Sequence, residues 1–200
     1  MPLTTLQMAQ EAMNLFEGFE SPNTMPWRKE AGDIEPGYQY KKKYTDCTQK
    51  LEGIRCYVRT VMARASFSDI ADFIRKNDLG NCDEMAFIAF NYLRKTYPNV
   101  NCCVARTDVD PKKAHVFVLF GYSMGAEKSK SLKLMGLNSS AIWCDPWARK
   151  CDKVNTVHGG DWRDSGNTSK AIKEHYGLDK DGFLVHEING MAIVNPGALA

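Results

Sequence analysis

The chain has 200 residues, 44% of them hydrophobic and 25% charged, with a formal net charge of +2. That is enough chain for one domain with a proper core, and too balanced a charge to argue for a nucleic-acid partner. Met1 to Phe19 has no basic stretch leading into an apolar one, and no run approaches the ~20 apolar residues of a membrane span, so neither a Sec signal peptide nor a membrane partner is expected. The expected location is the cytoplasm, or outside the cell by a route that reads no cleaved signal.

Thr4 to Phe19 places Leu6, Ala9, Ala12, Met13 and Phe16 at near-helical spacing, which predicts an amphipathic first helix. From Glu20 to Thr45, Pro22, Pro26, Gly32, Pro36 and Gly37 break the period, and the segment is expected to be irregular and anchored by aromatics such as Trp27, Tyr40 and Tyr44. Leu51 to Ala65 and Phe67 to Lys76 have helical patterning, the second with Ser66 or Ser68 as its cap. The next helix opens at Gly80-Asn81-Cys82-Asp83-Glu84-Met85-Ala86. Its run from Met85 to Phe90 is apolar on every side, which predicts a helix buried around most of its girth.

Beyond Pro98 the period becomes that of strands, at Asn101 to Arg106, His115 to Phe120 and Ala141 to Asp145. Val116 to Phe120 is apolar on both faces and reads as an interior strand. Weaker strands are expected at Phe183 to Glu187 and Met191 to Val194, with a short helix from Ser169 to Tyr176.

Seven cysteines without a C-x-x-C spacing, two of them the vicinal pair Cys102-Cys103, make a poor disulfide framework. A zinc site from Cys82, Cys102, Cys103 and His115 lacks ligand spacing, so no metal and no cofactor are expected. Cys103 and Cys144 sit in apolar runs and read as small hydrophobes.

Cys82 differs because of its position at a helix start, where unpaired backbone N–H groups and the macrodipole stabilise a thiolate. Asp83 and Glu84 work against the thiolate, so an imidazolium partner is required. His115 opens the most apolar strand of the chain, and Asp145 ends another, held by Pro146. An antiparallel pairing with His115 opposite Asp145, Phe117 opposite Trp143 and Leu119 opposite Ala141 brings base and carboxylate together. That register moves the Gly121 to Ser140 connection to the far end of the hairpin. The Cys82 N–H is one oxyanion donor; Asn77 is a candidate for the second, its alternative being a plain helix-terminal residue.

These three words, Gly80-Asn81-Cys82-Asp83-Glu84-Met85-Ala86, Ala114-His115-Val116 and Trp143-Cys144-Asp145-Pro146, together resemble the transglutaminase-like superfamily, a branch of the papain-like thiol enzymes. The resemblance covers about residues 79–147 of a single domain spanning 1–200, leaving an amino-terminal extension over 1–66 and a carboxy-terminal one over 148–200. It implies an α+β fold, with the nucleophile helix packed on an antiparallel β-sheet and additional amino-terminal helices. It also implies a Cys82-His115-Asp145 triad that acts on a protein amide through a thioester. Transglutaminases, glutamine deamidases, peptidases and inactive members share the fold. Many compact members resemble bacterial effectors that modify host proteins, which makes a host protein one substrate option. The leading expectation is a cysteine-dependent amide-modifying enzyme, and the alternative is an inactive protein-binding module.

Overall fold

The computed structural model describes residues 2–22, 38–107, 116–121, 132–133, 141–153 and 184–188. Within them the chain is α+β, with helices packed on an antiparallel sheet. Among the described residues, no helix is long and apolar enough to cross a membrane.

Helix α1 (Thr5–Met13) starts at a capping box. The Thr4 hydroxyl accepts from the Gln7 N–H at 3.2 Å, and the Gln7 side chain accepts from the Thr4 N–H at 2.9 Å. A 3₁₀ turn over Asn14–Phe16 follows, so the single helix expected to reach Phe19 ends at Met13.

Helix α2 (Tyr38–Thr60) corrects the sequence reading twice: it begins inside the segment expected to be irregular, and it ends before Ala65. Residues 41–46 are exposed, so this half carries no apolar period to read, yet its lysines and glutamine are good helix formers. The later half buries Leu51, Ile54 and Val58 along one face.

Helix α3 (Phe67–Lys76) has the expected bounds, and Ser66 is its cap, accepting from the Asp69 N–H at 3.2 Å. Asp78 then takes a left-handed backbone with φ of 49°, which an Asp tolerates better than most residues.

Helix α4 (Cys82–Thr96) buries Cys82, Glu84, Met85, Ala86, Phe87, Ile88, Ala89, Phe90, Asn91 and Leu93, which matches the expected all-round burial. It lies against α3 and against strands β1 (Cys102–Thr107) and β2 (Val116–Phe120). Rings interlock across the helix pair, with Phe67 and Phe87 centroids 4.0 Å apart. Phe87 is buried and contributes about 1.5–3 kcal/mol of burial energy, while Phe67 is partly buried and packs over it.

The remaining strands are β3 (Leu132–Lys133), β4 (Ile142–Asp145), β5 (Lys150–Lys153) and β6 (Leu184–Ile188), in the order β3-β6-β1-β2-β4-β5. β5 has no counterpart among the expected strands, and β3 lies within the Gly121 to Ser140 connection. The strand expected over 191–194 and the helix expected over 169–176 fall outside the described residues.

β2 is interior, as its two apolar faces imply, but its register against β4 differs from expectation. Leu119 pairs with Trp143 and Val118 with Cys144, an offset of two residues. A shift of two keeps every side chain on its face, so alternation alone cannot choose between the two registers. In the observed register the Phe117 and Trp143 rings meet as diagonal neighbours, centroids 3.6 Å apart and planes 12° from parallel.

One face of β2 and β4, carrying Val116, Val118, Phe120, Ile142 and Cys144, joins the core beneath α4. The opposite face buries Phe117, Leu119 and Trp143 completely.

Candidate active site

Cys82 is the first residue of α4 and is only 6% exposed. Its amino-terminal cap is Asn81, whose backbone N–H is taken by the Glu84 carboxylate at 2.9 Å. The spacing Asn81-x-x-Glu84 is a capping pattern, so Glu84 has a structural task as well as an electrostatic one. Arg55 of α2 holds the same carboxylate from the other side, Nε to Oε1 at 2.7 Å and Nη2 to Oε2 at 3.2 Å.

A second chain of hydrogen bonds reaches Asn81 from the sheet. The Trp147 Nε1–H donates to Ser21 Oγ at 3.1 Å, and the Ser21 hydroxyl donates to Asn81 Oδ1 at 3.0 Å. Trp147, Ser21 and Asn81 are all buried, so these bonds form where unmet polar groups are costly. The segment that carries Ser21 runs beside the helix start. Glu20 N–H donates to Asp78 O at 2.9 Å, and Gly80 N–H donates to Glu20 O at 3.0 Å.

Gly80 is required here by space. A Cβ on it meets Glu84 Cβ at 2.6 Å and Phe19 Cε1 at 3.3 Å.

Burial, followed by the charge of Asp83, pushes the Cys82 thiol well above its ordinary range; Asp145 and Glu84 push the same way, and a hydrogen bond from the Val116 backbone opposes them. Such a thiol keeps its proton near neutral pH until a base removes it. Two of the three sequence words therefore meet at Cys82: Asp145 acts on it through charge, and Val116, the residue after His115, touches it. His115 itself lies outside the described residues.

Asp145 is fully buried, and its Oδ1 accepts from the Ala148 N–H at 3.0 Å, fixing the turn from β4 into β5. Asn77 is the C-cap of α3. Its Nδ2 donates to Phe73 O at 2.9 Å, and its carbonyl accepts from Lys50 Nζ at 3.0 Å. Both bonds serve the end of α3, the helix-terminal role that was the alternative for Asn77. No group of His, Cys, Asp and Glu suited to a metal ion occurs among the described residues.

Ser21, Arg55 and the structural part played by Glu84 were not read from the sequence. The capping spacing could have revealed Glu84. Arg55 and Ser21 act on residues 29 and 60 positions away, a distance that no local pattern encodes.

Protein-family models, curated proteins and solved structures were each compared with the chain, and none matches it.

Proposed function

We propose that this protein is a cysteine-dependent amide-modifying enzyme of transglutaminase-like type, acting on a protein substrate through a thioester. The observation that carries the reading is the meeting at Cys82 of Asp145 and the Val116 backbone, from the sequence words that flank the proposed base and include its carboxylate partner.

In this reading His115 takes the Cys82 proton, and the sulfur attacks an amide carbonyl. The oxyanion is met by the Cys82 N–H at the positive end of α4. His115 then gives its proton to the leaving amine, and water or an amine resolves the thioester. Asp145 orients the imidazole and stabilises its cation.

Iodoacetamide at near-neutral pH tests the nucleophile: it labels Cys82, and Cys82→Ala abolishes that labelling while leaving the fold intact. Mass spectrometry of a treated cell lysate then separates the outcomes, a cleavage product, a mass gain of about one unit from deamidation, or a cross-link.

A second reading is favoured by the burial of Cys82 and its raised thiol pKa. In it the fold is kept as an inactive binding module. A Cys82 that resists iodoacetamide until the pH rises past the free-thiol value of about 8.5 supports this alternative.

A further inference from the structure

β4 and β5 form an antiparallel hairpin in which Cys144 is the direct register partner of Cys151. Directly opposed residues of an antiparallel pair have Cα atoms about 4.5 or 5.5 Å apart, according to their place in the ladder. Both values fall within the roughly 4.4–6.8 Å Cα separation that a disulfide spans.

Both cysteines are free thiols; Cys144 is fully buried and Cys151 half-buried. The Cys144 sulfur lies 3.8 Å from the Ala9 carbonyl oxygen and 3.7 Å from Met13 Sδ, under α1. Its thiol pKa is raised, first by a hydrogen bond with the Cys151 thiol and then by burial. The proposed acyl-transfer chemistry uses neither sulfur.

We propose that Cys144 and Cys151 are a reversible oxidation site, closing into a cross-strand disulfide when a low-molecular-weight disulfide such as oxidised glutathione supplies the oxidising equivalents. Cys151, the more accessible, attacks one glutathione sulfur as its thiolate. A mixed disulfide forms and the first glutathione leaves as a thiolate. Cys144 then loses its proton to solvent and attacks the Cys151 sulfur, which releases the second glutathione. Two cysteine thiols are oxidised and one glutathione disulfide is reduced to two thiols.

The register also makes the pairing selective. Cys102 lies on β1, separated from β4 by β2; two strand spacings of about 4.8 Å each exceed the disulfide range. The bridge closes a ring over residues 144–151, which includes Asp145 and Trp147.

The test uses the full chain under native conditions, incubated with oxidised glutathione, alkylated, digested with trypsin without reduction and mapped by mass. The expected product is peptide Leu134–Arg149 joined to Cys151–Lys153, each with one cysteine. Reduced glutathione should restore both peptides, and Cys151→Ser should leave Cys144 unmodified. A glutathione adduct that stays on Cys151 without closing, a bridge to another cysteine, or closure only after the protein is unfolded would falsify the proposal. The readout is independent of catalysis, so it stands or falls separately from the reaction proposed for Cys82.

Discussion

Arg55 grips both oxygens of Glu84, at 2.7 and 3.2 Å, and thereby ties α2 to the first turn of α4. The Glu84 side chain is 1% exposed and that of Arg55 is 20% exposed, so water does little to screen the pair. Burial alone would push the guanidinium down; the hydrogen bond and charge of Glu84 hold it above its ordinary value.

Removing one partner strands the other. Arg55→Met is expected to lower unfolding stability by about 3 kcal/mol, read from the midpoint of a urea titration. Glu84→Gln added to Arg55→Met should recover part of that loss, because the buried charge is then gone. A double variant as unstable as the sum of its single changes would show that the two side chains are not coupled.

Asp145→Asn separates the two readings of Cys82 by the sign of its effect. An Asn keeps an oxygen to accept from the Ala148 N–H, so the turn is retained. If Asp145 orients His115, the substitution slows Cys82 alkylation near neutral pH, by roughly tenfold or more. If Asp145 is only a nearby negative charge, alkylation speeds up, because a group that raises the thiol pKa has been removed. The rate of iodoacetamide incorporation decides between them.

Gly80→Ala is expected to cost about 1–3 kcal/mol. The added methyl meets the Cβ of Glu84 at 2.6 Å, an atom fixed by the helix backbone. The melting temperature should fall, and the Asn81 cap should loosen with it, visible as faster amide exchange at the start of α4.

Tyr92 and Tyr97 both donate their hydroxyls to Glu11 Oε2, joining α1 to the end of α4. That hydrogen bond, followed by burial, raises the Tyr97 pKa from 10.0 to about 12. The fold thus favours the neutral phenol. Its stabilising contribution is complete below pH 10 and is lost as the pH rises towards about 12. Stability measured against pH should fall through that window in the native chain, and fall less in Tyr97→Phe.

Where sequence and structure agree, the cause is a strong local pattern. Ser66 before Phe67-Ser68-Asp69 carries its own cap, and Met85 to Phe90 is apolar on every side, so α3 and α4 could be placed to the residue or nearly so. Residues 41–46 are exposed and carry no apolar stripe, and α2 was missed there for that reason. The two-residue offset of β2 on β4 escaped because pleat alternation is blind to even shifts. Cys82 and Asp145 were singled out by motif; Cys82 opens α4, and the buried Asp145 at the end of β4 acts on its thiol through charge. What holds them, Ser21 from before α2 and Arg55 from within it, is written only in contacts between distant parts of the chain.

The hydrogen bonds from Trp147 to Ser21 and from Ser21 to Asn81 span 126 and 60 positions of sequence. A chain emerging from the ribosome holds Ser21 and Asn81 long before Trp147 exists, so the support around Cys82 is finished only after the β4–β5 turn has been made and has docked. A product stopped short of that turn would therefore lack the last hydrogen bond that steadies the Asn81 cap beside the thiol.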